Sequence, residues 1–453
     1  MKFLSSSVAK LKGSTVIKSS LWVAFGVLGS QVIRLLSNLL LTRLLIPEYF
    51  GIMALVYAVT GFFNMVSDIG LIPSIVNTTR DKDDNYMSTA WTIQLIRQVI
   101  LGVLVLIVAY PVSLAYKQPD LFPLLIIISF TVIASGFKST AVILEQKYLR
   151  QKKLVIMDIS TQIISTLTML IVAYMTGSIY SLVAGNIIST LLTIYISYRF
   201  FSPHHSWFNL DSDVTKEIIH FGKWILLASI FGFFVTRGSP VVMGLWLSMR
   251  ELGIYTIAGV LATAPELIAN SLSAKILQPR YRQLLMDGNR AGIQKLRTTF
   301  VLLFLPGVVF LAATGDFITK ILYSDEYRDA GWVLQILVIG RIGNIFSTSG
   351  RALITSIGDS KSLMFNQGIS AFITISFMVF GGWLGGFPGV VLANSLSPFI
   401  HYINLNFRMS KHHYAQPLKD ALLITCTVIL VIAIWEVTNA PALENIKALF
   451  SLS

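Results

Sequence analysis

Three observations predict an all-α polytopic membrane protein built from two like halves. Of the 453 residues, 54% are hydrophobic and only 13% charged, about half the charged share of a soluble domain. Apolar runs recur along the whole chain, among them Leu121–Ser135, Val301–Ala313 and Leu422–Trp435. Such runs set in helices of about 20 residues can cross a bilayer. Finally, segments of the first half return in the second at a nearly constant offset.

Taken in order, hydropathy and Gly, Pro and charge punctuation place thirteen spans. They lie near 20–42, 50–76, 90–114, 121–146, 154–176, 178–198, 221–247, 253–274, 298–315, 331–356, 362–384, 387–407 and 421–437. The basic, Ser-rich residues 1–19 lead into span one as a surface helix, with no cleavage site ahead of a span too long for a signal peptide. Residues 439–453 are too short and polar to cross and lie at the interface. Lys and Arg divide 24 to 6 between the side holding the N-terminus and the opposite side, which places the N-terminus in the cytoplasm. The net charge of +13 is therefore a topology signal and points away from nucleic acid. Cys426 stands alone, so no intramolecular disulfide forms.

The repeat pairs residues 47–68 with 249–270 at offset 202, matching Gly51 to Gly253, Ile52 to Ile254 and Asp68 to Asn270. At offset 208, 139–153 matches 347–361 and 183–189 matches 391–397. Spans 1–6 (20–200) and 7–12 (221–409) thus form two six-helix lobes joined by a cytoplasmic linker at 201–220. An even number of spans per repeat gives both lobes the same orientation, with a central cavity and the substrate site between them. Span 13 and the tail (410–453) lie outside the repeat.

Charges at membrane depth are costly and mark functional interiors. Arg34 lies 17 residues before Gly51, and Arg237 lies 16 before Gly253, so each half carries an arginine at matching depth in its first helix. Arg341, Arg97 and Lys138 add cations. Planar guanidinium groups suit phosphate, and two across a pseudo-two-fold cleft suit a diphosphate. Asp68, Glu266 and Asp158 are candidates for a coupling Na⁺ or H⁺ site. They could instead balance the cations, with Arg34 pairing to Asp68. Three acids cannot match five cations one to one.

"TRLLIPEYFGIMALVYAVTGFFNMVSDIGL" (42–71) resembles the signature of polysaccharide-type flippases in the multidrug/oligosaccharidyl-lipid/polysaccharide exporter superfamily. The features are Arg43-Leu-Leu, Pro47, Phe50-Gly51 and Asp68-Ile-Gly-Leu71. "LEQKYLRQKK" (144–153) resembles the basic segment those proteins carry after span four. The resemblance implies two six-helix lobes in a V. It also implies transfer of an undecaprenyl-diphosphate-linked oligosaccharide to the outer leaflet of the bacterial inner membrane by alternating access. Partners would include a polysaccharide polymerase and a chain-length regulator. Members commonly carry 12 or 14 spans, so thirteen is a departure. The rivals are a cation-coupled multidrug exporter and a membrane-embedded polymerase or ligase. The first would want an acidic or aromatic cavity, and the second a sizeable outer loop bearing a catalytic group. The sequence offers neither.

No G-x-x-x-x-G-K-[ST] phosphate loop is present, which argues against ATP hydrolysis, and no cofactor is expected. The His pairs at 204–205 and 412–413 lack metal-ligand spacing and read as solvated loop residues. "DKDDN" (81–85) lacks the Gly and Glu a calcium loop needs.

Overall fold

A computed structural model of the chain describes residues 2–78, 80, 83–148, 150–201, 207–218, 229, 232–233 and 238–451; the side chains of 2–20, 77, 360, 450 and 451 lie outside that description. Among the described residues the regular structure is wholly helical. Among the described residues nine helices are long and apolar enough to cross a membrane, and a bent pair over Met249–Met286, taken as one span, makes a tenth. Most of expected span seven, Arg237 included, and the His204–His205 pair lie outside the described residues.

The elements are α1 (Lys2–Leu41), α2 (Pro47–Val66), α3 (Leu71–Asn77), α4 (Asp84–Ala115), α5 (Leu121–Ser135), α6 (Ala141–Lys147), α7 (Gln151–Thr176) and α8 (Tyr180–Arg199). A short run over 212–218 is α9. Then come α10 (Ser239–Met243), α11 (Met249–Ala262), α12 (Ala264–Leu272), a π-helical turn at Ser273–Leu277, and α13 (Gln278–Met286). The chain ends with α14 (Arg290–Leu322), α15 (Ala330–Ile357), α16 (Ser360–Lys411), α17 (Pro417–Thr438) and α18 (Pro441–Ser451). Two compact units result, one of residues 1–45 and 59–230, the other of 46–58 and 231–453. The second unit therefore claims 46–58 from the expected first lobe.

Several expected spans are interrupted. Residues 50–76 do not form one helix: α2 ends at Val66, and Gly70, at φ 65°, turns the chain into α3. Asp68 Oδ1 accepts the Gly70 N–H at 3.0 Å and holds that turn. Span four likewise stops at Ser135 and resumes at Ala141. The broken backbone is satisfied from neighbouring helices, as it must be at membrane depth. Gln94 Nε2 donates to the carbonyls of Gly136 (2.9 Å) and Lys138 (2.8 Å), and Ser197 Oγ accepts from Ser139 N. Span eight bends by 42° between Ala262 and Ala264, just ahead of Pro265, which cannot complete the helical ladder. The expected surface helix over 5–19 is continuous with span one in α1. In contrast, the expected boundary between spans eleven and twelve falls where α16 turns, at Gly385 and Gly386, the latter at φ 53°.

The repeat meets itself inside the second unit. Gly51 and Gly253 face each other so closely that a Cβ on Gly51 would lie 2.0 Å from the Met249 carbonyl oxygen. One on Gly253 would lie 1.8 Å from that of Pro47. Pro47 and Met249 are themselves a matched pair at offset 202, so the contact is symmetric about the crossing. The adjoining pair also meets: Arg250 lies 3.5 Å from Glu48 and donates to the Glu326 carbonyl at 2.9 Å.

The helix outside the repeat is anchored at both ends. In α17, Asp420 receives Arg297 of α14 at 2.6 Å, with both side chains under 8% exposed, and Tyr402 of α16 bonds to the same carboxylate. Trp435 is fully buried and donates Nε1–H to the Ala312 carbonyl at 2.8 Å. The linker is held too. Val214 and Ile218 of α9 bury against Ile75, Tyr86 and Met87, and Asn85 donates to Asp211 at 2.9 Å.

Candidate functional site

The intramembrane charges fall into pairs that follow the chain's breaks. In the first unit, Arg97 of α4 reaches the end of α2, donating to Ser67 Oγ at 3.0 Å and to the Asn64 carbonyl at 2.7 Å, within the field of Asp68. Lys138, on the irregular stretch between α5 and α6, interacts electrostatically with Asp158 of α7. In the second unit, Arg341 of α15 binds Glu266 of α12 at 2.7 Å, and Asn344 donates to the same carboxylate oxygen at 3.0 Å. Glu266 is thus bound by one expected substrate cation, while Asp68 and Asp158 lie in the fields of two others. Asp68 serves Arg97 and its own turn, so the alternative Arg34–Asp68 pair does not form.

Arg34 is left without an acidic partner among the described residues. Its side chain is exposed on α1, on a face shared with Ser30, Gln31, Ser37 and Asn38. The exposed apolar stripe Leu28, Val32, Leu36 and Leu40 centres about 180° around the helix, counting about 100° per residue. Arg34 therefore projects from the polar side of α1, away from the side suited to lipid. The packing of α1 on α7 supports this orientation, with Gln162 donating to the Ser30 carbonyl at 3.1 Å.

The second unit holds a polar stripe that hydropathy hides. Arg341, Asn344, Thr348 and Arg351 follow one another at i, i+3, i+7 and i+10 on α15, the most deeply buried of the long helices. That spacing keeps them on one face. They look onto Glu266 and Asn270 of α12: Thr348 donates to Asn270 Oδ1 at 2.9 Å, and Arg351 donates to Thr348 at 3.0 Å. Nearby, Asn394 of α16 donates to Tyr255 of α11 at 2.6 Å. Arg351, inside expected span ten, is not among the cations that the sequence singles out. The helical spacing of polar residues through an apolar segment was the signal that could have found it.

Of the loop histidines, His413 is exposed as expected, whereas His412 differs. His412 bonds to Asp359 at 3.0 Å, because the ends of α15 and α16 bring 359 and 412 together. Asp359, the N-cap of α16, is held well below the ordinary carboxylate range by the Ser362 side chain and N–H, and then by His412. Among the described residues no group of three or more His, Cys, Asp or Glu is placed to hold a metal.

A family model described as polysaccharide biosynthesis protein matches residues 40–332. The chain belongs to that family. The assignment agrees with the one drawn from residues 42–71. Similar proteins include the succinoglycan biosynthesis transport protein ExoT of Rhizobium meliloti (strain 1021), 23% identical over 73% of this chain and 67% of its own. Another is the teichuronic acid biosynthesis protein TuaB of Bacillus subtilis (strain 168), 21% identical over 70% of this chain and 67% of its own. Among solved structures, the lipid II flippase MurJ in an inward closed conformation superposes with a TM-score of 0.70 at 16% identity, covering 93% of each chain. An inward-facing multidrug resistance MATE family transporter of the MOP superfamily gives 0.59 at 13%, covering 88% of this chain and 95% of its own. These two likenesses establish the fold. The chain is a polytopic membrane protein of a polysaccharide biosynthesis transporter family.

Proposed function

We propose that this protein flips a lipid-diphosphate-linked oligosaccharide from the inner to the outer leaflet of the bacterial inner membrane. The observation that carries the proposal is Arg34. It is an exposed guanidinium on the polar side of a membrane helix, with no acid to neutralise it among the described residues. A permanent charge so placed is stable only beside water or an anion, and its planar donors fit phosphate. Arg237, its repeat counterpart, is expected to do the same from the second unit. The names of ExoT and TuaB, both polysaccharide biosynthesis proteins, agree with a glycan-bearing lipid. Alternating access would carry the head group across, with the N-terminus cytoplasmic. Reloading would use an H⁺ or Na⁺ gradient or the membrane potential, which supplies about 2.3 kcal/mol per charge per 100 mV.

The test is leaflet transfer of a fluorescent lipid-diphosphate oligosaccharide in proteoliposomes. Native protein is expected to move it, and Arg34→Ala and Arg237→Ala to lose most of that rate while inserting normally. Native-like transfer by both variants would remove the arginines from the mechanism. No transfer by the native chain under any imposed gradient would refute the flippase reading for that lipid.

A further inference from the structure

Three helices of the first unit bring cations held against aromatic rings to one level of the membrane boundary. Lys152 Nζ, in the first turn of α7, lies 5.6 Å from the centre of the Trp22 ring of α1. The guanidinium of Arg150, just ahead of α7, lies 5.3 Å from the Tyr148 ring, and that of Arg199, ending α8, lies 5.8 Å from Phe200. α7 packs against both α1 and α8. Gly26 faces Val155 and Gly29 faces Ile159, so α1 and α7 run side by side in the same direction, with Trp22 level with Lys152. Phe201 buries in one cluster with Leu154 and Met157, which brings the Arg199–Phe200 pair to that level too. This is the edge of three apolar runs. Trp22 stands two residues into expected span one, Lys152 two residues ahead of span five and Arg199 one residue past span six.

These cations are short of acids. Lys153 adds a fourth, and no acid stands in the first turn of α7. Arg150 lies 3.7 Å from the buried carboxylate of Glu145; among the described residues Lys152, Lys153 and Arg199 have no acidic partner. About one turn deeper the surface becomes apolar and aromatic, with Phe25 of α1, Ile156 of α7 and Tyr195 of α8 all exposed. A ligand that meets both layers carries an anionic head on acyl chains, whereas a soluble anion or an acidic peptide would meet the cations alone. A ring positions the cation above it, so less side-chain freedom is lost when a phosphate binds, and aromatic rings themselves favour this depth.

We propose that Arg150, Lys152, Lys153 and Arg199 form a rim that binds anionic phospholipid of the inner leaflet. The headgroup phosphate sits on the ring-held cations, and the acyl chains run along Phe25, Ile156 and Tyr195. The inner leaflet follows from the expected cytoplasmic N-terminus, since α1 and α7 start on the same side. Such a rim fixes the depth of α1, α7 and α8, and it would be present whether or not the protein flips a lipid.

The experiment places a bimane fluorophore on Gln151→Cys in full-length protein that also carries Cys426→Ser, reconstituted in phosphatidylcholine vesicles. Doxyl-labelled phosphatidylglycerol and doxyl-labelled phosphatidylcholine are compared as quenchers. With the native rim, the phosphatidylglycerol is expected to associate at least about fivefold more strongly than the phosphatidylcholine, and the difference should shrink as salt is raised. Lys152→Gln/Lys153→Gln/Arg199→Gln should bring the two lipids to parity, while quenching by the phosphatidylcholine stays at its native level and so reports an unchanged fold and depth. Trp22→Leu/Phe200→Leu keeps every charge and should still lose at least about half of the preference. The same charge change on the second unit, Arg280→Gln/Arg282→Gln/Lys295→Gln, should leave the preference intact. Equal quenching by the two lipids with the native rim would overturn the proposal, as would an equal loss of preference from the second-unit variant. A preference untouched by removal of the rings would overturn the ring-held arrangement. Displacement of the phosphatidylglycerol by inorganic phosphate at constant ionic strength would overturn the lipid assignment in favour of a soluble anion.

Discussion

The glycine crossing between α2 and α11 offers the most direct quantitative test of the fold. A methyl at residue 253 would lie 1.8 Å from the Pro47 carbonyl oxygen, and real Cβ contacts essentially never fall below 3.0 Å. Gly253→Ala must therefore part the two helices by about 1 Å or more, an overpacking cost of about 1–3 kcal/mol. Gly51→Ala meets the Met249 carbonyl at 2.0 Å and should cost a similar amount. Both methyls need the same gap, so the double variant should be markedly less destabilised than the sum of the singles. Gly259, further along α11, has nothing within 4 Å of its Cβ position. Gly259→Ala is then neutral or stabilising by up to about 1 kcal/mol through helix propensity. Thermal melting in detergent, followed by tryptophan fluorescence, reads all four variants. Unchanged midpoints for Gly51→Ala and Gly253→Ala would refute the close crossing. Strict additivity in the double variant would refute the shared gap.

Other consequences follow from single contacts. Asp420→Ala strands Arg297 in the interior and should cost about 3–5 kcal/mol, whereas Arg297→Met with Asp420→Leu should be near neutral; melting of the three proteins compares them. Gln94→Leu leaves the carbonyls of Gly136 and Lys138 unsatisfied at the break in span four. It should destabilise by about 1–3 kcal/mol, with increased hydrogen exchange confined to residues around 136–140. Asp359 has a depressed carboxyl, so its cap is fully present above the ordinary carboxylate range and is lost only as pH falls through its lowered value. Hydrogen exchange at the first turn of α16 should accordingly stay slow to below pH 4, with Asp359→Ala fast throughout. A cap that weakens between pH 5 and 4 would contradict the arrangement.

Much of this architecture was legible in the residues. Span positions follow from apolar run length, because a bilayer demands about 20 residues per crossing. The turn at Gly385–Gly386 was readable because glycine reaches positive φ without strain. Gly51 and Gly253, paired in the sequence at offset 202, meet at the crossing, and each is glycine because the other helix's carbonyl lies against it. The family, too, was readable in the stretch around these same residues.

The breaks and the charge pairs were not readable. Hydropathy averages over a window and cannot see that a distant side chain, such as Gln94, satisfies backbone freed at 136–138. Nor can it tell which acid meets which cation. The sequence offered Arg34 as a partner for Asp68, whereas the packing of α4 against the end of α2 brings Arg97 into its field. Arg341 looked like a free cavity cation until the bend in span eight brought Glu266 to it. The sequence by itself determined the class and the family, since those depend on composition and local periodicity. The tertiary structure decided which charges meet one another and which, like Arg34, have no acidic partner among the described residues. That choice depends on distances between separate helices, such as those of Glu266 and Arg341, 75 residues apart, and no local pattern encodes them.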